Sequence, residues 1–257
     1  TMNIFAFDIE TVPDVEGGRR LHGLEGLDDH AAAEAMLAMR REENGSDFLR
    51  LPLHRVVVIS VAALIGEKFT VFSLGDGGDD ERSLIARFYE GIERYTPKLV
   101  SWNGSGFDLP VLHYRALMHG LSAPRYWETG DQERDFRYNN YQNRYHDRHT
   151  DLMDVLAGFS PRAVAPLDQV ATLCGLPGKL GMSGAAVREH IEQGDFAGVR
   201  NYCEHDVLNT YLLWLRYELM RGTIDSAGYD AACERVRAAL VEADGPPLKQ
   251  FLDAWLQ

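Results

Sequence analysis

The sequence predicts an α/β protein in which a mixed sheet is flanked by helices. β-Rich runs dominate the first third of the chain, strand and helix patterns then alternate, and the pattern from about residue 150 onward is helical. Strands joined by a tight turn pair antiparallel, whereas strands separated by a helix usually pair in parallel. We therefore expect three antiparallel strands followed by parallel ones, with helices on both faces.

The first strands are predicted at residues 2–11, 55–64 and 68–74. Gly66-Glu67 separates the last two of these runs and has Gly in the first turn position of a tight hairpin. The long connection after the first strand ends near Pro52 and contains an amphipathic helix over 29–44.

Helices and strands alternate along the chain after the hairpin. Residues 79–96 form a helical pattern with acidic residues in the first turn, and "KLVSW" (98–102) is a short buried strand. A helix should begin near Asp108, with Pro110 in its first turn and Gly120 as its stop. Further helices are predicted over 152–158, 166–175, 183–193, 196–220, 226–241 and 247–256. We expect a main domain over residues 1–222 and a helical appendage over 223–257.

Composition bounds the class of protein. With 257 residues, 45% of them hydrophobic and 25% charged, the chain has the composition of a soluble globular protein, and it lacks an apolar run of about 18 residues. The three cysteines lie outside any CxxC, which argues against a structural zinc site and favours the cytoplasm, and no signal-peptide pattern is present. The net charge of −13 disfavours a broad phosphate-binding surface, although part of it could belong to a metal site.

"FAFDIETV" (residues 5–12) places two carboxylates, Asp8 and Glu10, inside an apolar strand. Strand side chains alternate with period two, so both point to the same face. Two carboxylates at such a short distance repel each other unless one of them is protonated or a cation lies between them. Taken alone, the pair could also be solvent-facing charge on a half-exposed sheet.

Two further acids stand in suggestive positions. Asp108 closes "WNGSGFD", a glycine-bearing turn between a strand and a helix. Asp206 lies four residues after Tyr202 in "YCEHDVLNT", so the two share a helix face. Separately, Asp108 could be a helix cap, Tyr202 a core residue and Asp206 part of a solvated helix face.

Together, "FDIET", "WNGSGFDLPVL" and "YCEHDVLNT" resemble the three exonuclease motifs of the DEDD superfamily of 3′–5′ exonucleases. The likeness is greatest to the proofreading domain of family B DNA polymerases and to related stand-alone bacterial proteins, and it runs from residue 3 to about 215. The resemblance implies a ribonuclease H-like fold in which four acids bind two divalent metal ions, Mg²⁺ or Mn²⁺, and so lose their mutual repulsion. These acids are Asp8, Glu10, Asp108 and Asp206.

The spacing before the last acid indicates the tyrosine (DEDDy) type. Histidine-type members carry a His five residues before that Asp, where this chain has Asn201, and tyrosine-type members carry a Tyr four residues before it, here Tyr202. His205 lies about 100° around the helix from Asp206 and should not reach the same water. Because its unperturbed pKa is about 10, we expect Tyr202 to orient the attacking water instead of acting as a base.

Several residues are secondary candidates. The resemblance implies a recurrent Asp near Asp151, which could contact a metal ion or support a neighbouring residue, and we favour the supporting role. Lys179, in the loop "GLPGKLGMSG", could contact a phosphate or belong to an ordinary inter-helix loop. Asn103 and Phe107, beside the second motif, could contact the terminal nucleotide.

The segment "RDFRYNNYQNRYHDRH" (134–149) interleaves arginines with tyrosines. Arginines can neutralise phosphates and tyrosines can stack on bases, a combination that suits single-stranded nucleic acid. We therefore expect substrate binding in this segment, by Arg137 and Arg144 above all. A flexible surface loop diluted by Asp135 and Asp147 is the alternative.

The function implied is a metal-dependent 3′–5′ exonuclease that acts on single-stranded DNA and releases nucleoside 5′-monophosphates. The alternatives are a 3′–5′ exoribonuclease, since the same acids serve both, and a non-catalytic nucleic-acid-binding module. The expected partner is a single-stranded 3′ end, DNA in preference to RNA, with no membrane involved. A polymerase or repair protein in trans is a further possible partner.

Overall fold

Five strands form one mixed sheet in the computed structural model, which describes residues 2–243 and 245–256 and leaves Thr1, Asp244 and Gln257 outside the described residues. The strands are β1 (Ile4–Pro13), β2 (His54–Ile65), β3 (Lys68–Leu74), β4 (Lys98–Ser101) and β5 (His149–Asp151). Their spatial order is β3-β2-β1-β4-β5, with the first three antiparallel and β4 and β5 parallel to β1. The predicted mixed sheet and its fold class are confirmed.

The central strand β1 is buried on both faces, and it pairs with β2 on one side and β4 on the other. Asp8 lies opposite Ser60 of β2, and the register shifts between Glu10 and Thr11. This irregularity lies directly after the acidic pair, at the end of β1 where β4 no longer accompanies it. Such bulges re-aim side chains near the edge of a sheet.

Eleven helices are found within the described residues. They are α1 (Val15–His22), α2 (Asp29–Asn44), α3 (Glu81–Tyr95), α4 (Asp108–Met118), α5 (Pro124–Trp127), α6 (Leu152–Leu156), α7 (Leu167–Leu173), α8 (Val187–Glu192), α9 (Phe196–Arg221), α10 (Ser226–Glu242) and α11 (Pro246–Trp255). No helix in this part of the chain has the length and apolar character that crossing a bilayer would require.

Four elements differ from the sequence-based prediction, among them α5, which the sequence did not predict. The sequence did not predict α1, whose Gly17-Gly18 pair weakens helix propensity. Tertiary packing nonetheless favours this helix with glycine at position 18, because α2 packs so closely that a Cβ on Gly18 would lie 2.2 Å from Met36 Sδ. The three-residue strand β5 was also missed, being too short to show a period. The helix predicted over 183–193 begins as a 3₁₀ turn over Gly184–Ala186.

A buried ion network fixes the connection after β1. Arg115 of α4 donates to Glu81 Oε2 and to Asp14 Oδ2, both at 2.5 Å. Asp14 also caps α1 by accepting from Gly17 N. Because a buried charge is stable only when it is paired and hydrogen-bonded, this network ties α1, α3 and α4 into one arrangement.

Helix α9 crosses the sheet and carries the C-terminal helices. Phe69 of β3 packs on Tyr211, with ring centroids 4.7 Å apart. Phe251 of α11 is fully buried in the same core cluster as Tyr211. His205 Nε2 lies 2.9 Å from the Pro247 oxygen, which joins α9 to the start of α11. The division between residues 1–222 and 223–257 stays a prediction; Gly222 ends α9 in a left-handed conformation (φ +74°).

Candidate active site

The first pair of acids lies where the prediction put it, on one face of β1. Glu10 is buried and Asp8 half-buried, and β1 packs against α9. Cys203 of α9 lies against Asp8, with its Sγ 3.4 Å from Oδ2 and 3.5 Å from the Asp8 backbone oxygen. One potential ligand atom from each of Asp8, Glu10 and Cys203 lies within 4.8 Å of the others, so these residues form a group that could hold a metal ion.

Asp108 joins this face from α4. It is the first residue of that helix, and its carboxylate reaches across to β1. Oδ1 accepts a hydrogen bond from Ile9 N at 3.1 Å, which places the carboxylate between the two acids of β1 along the strand. The Asp8 carboxyl lies within hydrogen-bond reach of it as well.

The turn before Asp108 is held by Asp151. Oδ1 of Asp151 accepts from Asn103 N and Oδ2 from Ser105 N, both at 2.9 Å. Asp151 also caps α6 through Met153 N at 3.1 Å. Asn103 has a left-handed conformation (φ +66°), which Asn tolerates better than most residues. The carboxylate therefore holds the turn that precedes Asp108, and its role in the reaction stays a prediction.

Helix α9 brings the third motif to the site. Tyr202 and Asp206 lie on one face of α9, and the tyrosine hydroxyl lies close enough to the carboxylate for each group to influence the pKa of the other. Burial and the surrounding acids raise the pKa of Tyr202 far above its ordinary value, so the hydroxyl stays protonated. His205 points instead to the C-terminal helices, where its ring packs on Phe251.

Lys179 reaches the acids from the glycine-rich loop. Its positive charge lowers the pKa of both Glu10 and Asp206 against the stronger effect of burial. The Nζ atom lies 5.9 Å from the centroid of the Tyr202 ring. The Asn209 amide holds the loop through both backbone groups of Gly178, at 3.2 and 3.0 Å.

The four acids have raised pKa values because burial penalises their charged forms, and neighbouring carboxylates add to this effect. Burial and neighbouring carboxylates raise the pKa of Asp8 and Glu10 well above their ordinary values. Burial raises the pKa of Asp108 to about 7 and that of Asp206 to about 6. Four oxygen-rich groups with one lysine nearby lack counter-charge, and this donor set fits hard divalent cations.

The aromatic residue predicted at the second motif lies at the rim of the site. The Phe107 ring packs on His54 at 5.1 Å and on Phe48 at 5.8 Å. Phe48 is exposed and comes from the connection after α2, while His54 Nδ1 lies 2.9 Å from the Thr11 hydroxyl. The rim beside Glu10 therefore carries an aromatic surface whose outermost ring, Phe48, the sequence did not indicate.

Within 134–149 the structure separates surface groups from core groups. Arg137 is exposed, and Arg144 pairs with Asp154 at 2.8 Å. Tyr141 is buried, with its hydroxyl donating to the Pro97 oxygen, and Arg148 lies 3.9 Å from the Phe136 ring centroid. The interpretation of the whole segment as a binding loop is wrong for Tyr141, which belongs to the core, while the half-buried Arg148 packs on the core residue Phe136.

A polar chain behind Asp8 was not predicted. The hydroxyls of Ser60 and Ser73 lie 2.7 Å apart, and Ser73 donates to Glu204 Oε1 at 2.7 Å. Ser60 also lies within hydrogen-bond reach of Cys203. The sequence indicates this chain only weakly. Ser60 is a lone polar residue inside an apolar strand, and Cys203 and Glu204 lie between Tyr202 and Asp206 of the third motif.

A family model and several known proteins resemble this chain. A family model described as "Predicted 3'-5' exonuclease related to the exonuclease domain of PolB" matches residues 46–255. DNA polymerase 1 of Sulfolobus acidocaldarius is 32% identical over 90 residues, covering 35% of this chain and 8% of the polymerase. The DNA polymerase of Archaeoglobus fulgidus is 26% identical over 150 residues, covering 55% of this chain and 19% of the polymerase.

A third relative is the catalytic polypeptide of DNA polymerase epsilon from Dictyostelium discoideum. It is 27% identical over 154 residues, which cover 58% of this chain and 6% of that polypeptide. The chain thus spans less than a fifth of each of these relatives. The family match begins after β1, but β1 pairs with β2 and β4 inside the matched region. With most of its length matched, the chain belongs to the family of predicted 3′–5′ exonucleases related to the exonuclease domain of PolB and is a 3′–5′ exonuclease domain of that type.

Proposed function

We propose that the domain hydrolyses single-stranded DNA from the 3′ end and releases nucleoside 5′-monophosphates. The observation that carries this proposal is the convergence of the four acids with raised pKa values from three separated motifs. Such a concentration of buried negative charge destabilises a fold unless cations accompany it. We therefore attribute the arrangement of the four acids to a catalytic role.

We propose that Asp8, Glu10, Asp108 and Asp206 hold two divalent ions, Mg²⁺ or Mn²⁺. When bound, such ions polarise the phosphate and lower the pKa of water. The protein's own contribution is to fix its ligands: Ile9 N holds Asp108, and the Cys203 thiol holds Asp8. Asp151 keeps the turn before Asp108 in place.

Tyr202 is proposed to orient the attacking water. Its hydroxyl remains protonated at neutral pH because burial and the adjacent acids oppose its ionisation and raise its pKa. A protonated hydroxyl can donate to one partner and accept from another, so it can position a water molecule without acting as a base. The role suits its place beside Asp206 on the inner face of α9.

The strand would be bound by groups around the rim. Lys179 is placed to contact the phosphate near Glu10 and Asp206, since its charge already acts on both. Phe107 offers a ring for the terminal base, and Asn103 lies on the adjoining turn. Arg137 and Arg144 would contact the strand farther upstream.

DNA is proposed over RNA because the relatives above are DNA polymerases by name. The same similarity suggests a polymerase or repair protein as a partner in trans. The cytoplasm remains the proposed location, on the basis of the three cysteines, which are unpaired in the structure.

The test is an assay of the purified protein with Mg²⁺ or Mn²⁺ on matched 5′-labelled single-stranded DNA, RNA and duplex. We expect a ladder shortened from the 3′ end, fastest on single-stranded DNA, with mononucleotides as products. The Asp108→Asn variant is the control, because it keeps the shape and the Ile9 contact while removing the charge. Equal degradation by this variant would show that another nuclease is responsible.

A further inference from the structure

A cavity of about 540 Å³ lies behind the turn of the second motif. Asn103, Ser105 and Gly106 of that turn line one side of it, and Leu109 and Pro110 of the first turn of α4 adjoin them. Gly106 stands two residues before Asp108, so the cavity borders the turn that leads into the acid site. None of the four acids lines the cavity, so it is a separate depression beside the site.

Aromatic rings form the opposite wall. The His113 ring lies 4.8 Å from Trp127 and 5.3 Å from Tyr126, measured between centroids. Tyr126 in turn stacks on Tyr141 with an interplanar angle of 13°. Trp127 lines the cavity and stays 52% exposed although Tyr126 and Tyr141 are buried, so its side chain is accessible to a ligand. A pocket of this size that combines aromatic rings with a few polar groups is typical of small-molecule binding.

The polar groups of the cavity carry little net charge. Burial lowers the pKa of His113 and of His149 to about 4, so both rings are neutral at neutral pH. The charges of Arg144 and Asp154 cancel in their 2.8 Å ion pair. A phosphate needs an excess of cationic donors, so the cavity does not suit one. A neutral ring with hydrogen-bonding edges fits it better.

One hydrogen-bond acceptor in the lining lacks a donor. Gln142 Nε2 donates to the Tyr126 backbone oxygen, while Gln142 Oε1 is buried with no hydrogen-bond partner among the described residues. Buried side-chain oxygens almost always have a donor, and those that do not call for a ligand or another explanation. Once the amide of Gln142, which lines the cavity, rotates toward it, the N–H groups on the edge of a nucleobase would supply one.

We propose that this cavity binds one nucleobase of the substrate strand, upstream of the scissile bond. The inference rests on the proposed function, since it takes the strand to enter along the turn that ends at Asp108. The base would stack on the exposed Trp127 face and present an N–H edge to Gln142. The cavity thereby fixes how far the strand advances toward the acids, a task that neutral stacking performs without sequence preference.

The experiment combines an abasic scan with variants of Trp127. Short single-stranded DNA oligonucleotides, each with one abasic residue at a different distance from the 3′ end, are tested for hydrolysis in Mn²⁺ and for binding in EDTA by fluorescence anisotropy. In the wild type we expect one position at which losing the base raises KM and Kd by about tenfold. Trp127→Ala should remove that positional penalty, whereas Trp127→Phe should retain most of it.

Tyr114→Ala is the matched control, because Tyr114 is an exposed aromatic residue of α4 that does not line the cavity. It should keep the positional penalty unchanged. An abasic penalty that is the same in Trp127→Ala as in the wild type, or no penalty at any position, would overturn the proposal. If no oligonucleotide is hydrolysed but a Trp127-dependent penalty remains in EDTA, the proposed function fails while the nucleobase site stands.

Discussion

The thiol of Cys203 lies 3.4 Å from Oδ2 of Asp8, one residue after Tyr202 and three before Asp206. Burial and the acids around it raise the pKa of the Cys203 thiol, so in the metal-free protein it is a protonated donor. One turn of α9 thus supplies both the third motif and a hydrogen bond to the first. The relative position of β1 and α9 therefore depends in part on this thiol.

Replacing Cys203 with Ala should weaken metal binding, because the Asp8 carboxylate loses its donor and can rotate. A hydrogen bond of about 0.5–1.5 kcal/mol corresponds to a rise of about 2- to 12-fold in the Mn²⁺ concentration for half-maximal activity. Cys203→Ser keeps a donor and should restore part of the loss. The measurement is a Mn²⁺ titration of nuclease activity.

Cys233→Ala serves as the control for the cysteine prediction, since Cys233 is a buried thiol on α10 in the C-terminal core. It should lower stability without changing the Mn²⁺ requirement. Identical Mn²⁺ titrations for the wild type, Cys203→Ala and Cys203→Ser would contradict a positioning role for the thiol.

Asp108→Asn should stabilise the metal-free protein at pH 8 but not at pH 5. The pKa of Asp108 is raised from 3.8 to about 7 on folding, so the folded state holds this proton more tightly than the unfolded state. The protonated Asp108 carboxyl therefore contributes to the free energy of unfolding at low pH, and this contribution is lost as the pH rises through about 4 to 7. The amide carries no charge and avoids that loss.

The measurement is thermal unfolding of both proteins in EDTA across this pH range. Each kcal/mol shifts Tm by about 2–4 °C for a chain of this size, so the gain at pH 8 should be a few degrees. Addition of Mn²⁺ should reverse the order of the two Tm values, because the ion stabilises only the wild type. A Tm difference that is constant with pH would show that Asp108 does not titrate in this window.

Tyr202→Phe should lower kcat while leaving metal binding close to normal. The substitution removes the hydroxyl and keeps the ring packed, so only the proposed orientation of the water is lost. The expected decrease in kcat is about 10²- to 10⁴-fold. Asp206→Ala should instead weaken both activity and metal affinity, which separates the two roles in a calorimetric metal titration.

His205→Gln is the matched variant on α9, because this side chain faces Pro247 and not the acids. It should retain activity. Full activity in Tyr202→Phe together with loss in His205→Gln would make the tyrosine-type assignment wrong.

Arg137→Ala should raise KM and reduce its salt dependence, with kcat little changed. Arg137 is exposed and forms no ion pair within the described residues, so its charge is available to a phosphate. Each lost phosphate contact should lower the slope of log KM against log salt by about 0.7. Arg144→Ala should have a smaller effect on the slope, because Arg144 is already paired with Asp154.

The control for the arginine prediction is Arg94→Ala. The Arg94 guanidinium lies over Tyr95 at the end of α3 that precedes β4, whereas the second motif follows β4. This variant should leave KM and its slope unchanged. If Arg137→Ala lowers kcat at constant KM, the segment acts in the chemical step and not in strand binding.

Much of the site could be predicted from local periodicity. The period of a strand puts Asp8 and Glu10 on one face, and the period of a helix puts Tyr202 and Asp206 on another, because both periods depend only on backbone geometry. The hairpin at Gly66 follows from turn chemistry in the same way, and Gly66 has a φ of +62° in the structure. These features need no knowledge of the rest of the chain.

The remaining features depend on contacts between residues distant in sequence. The Cys203 thiol can reach Asp8 only because α9 packs across β1, and α1 forms despite its glycines because Gly18 fits against Met36. Tyr141 belongs to what resembles a binding loop in sequence, yet it completes a core and bonds a backbone oxygen 44 residues away. The sequence by itself determined which acids share a face; packing decided what lies behind them, since burial and long-range hydrogen bonds exist only once the chain is folded.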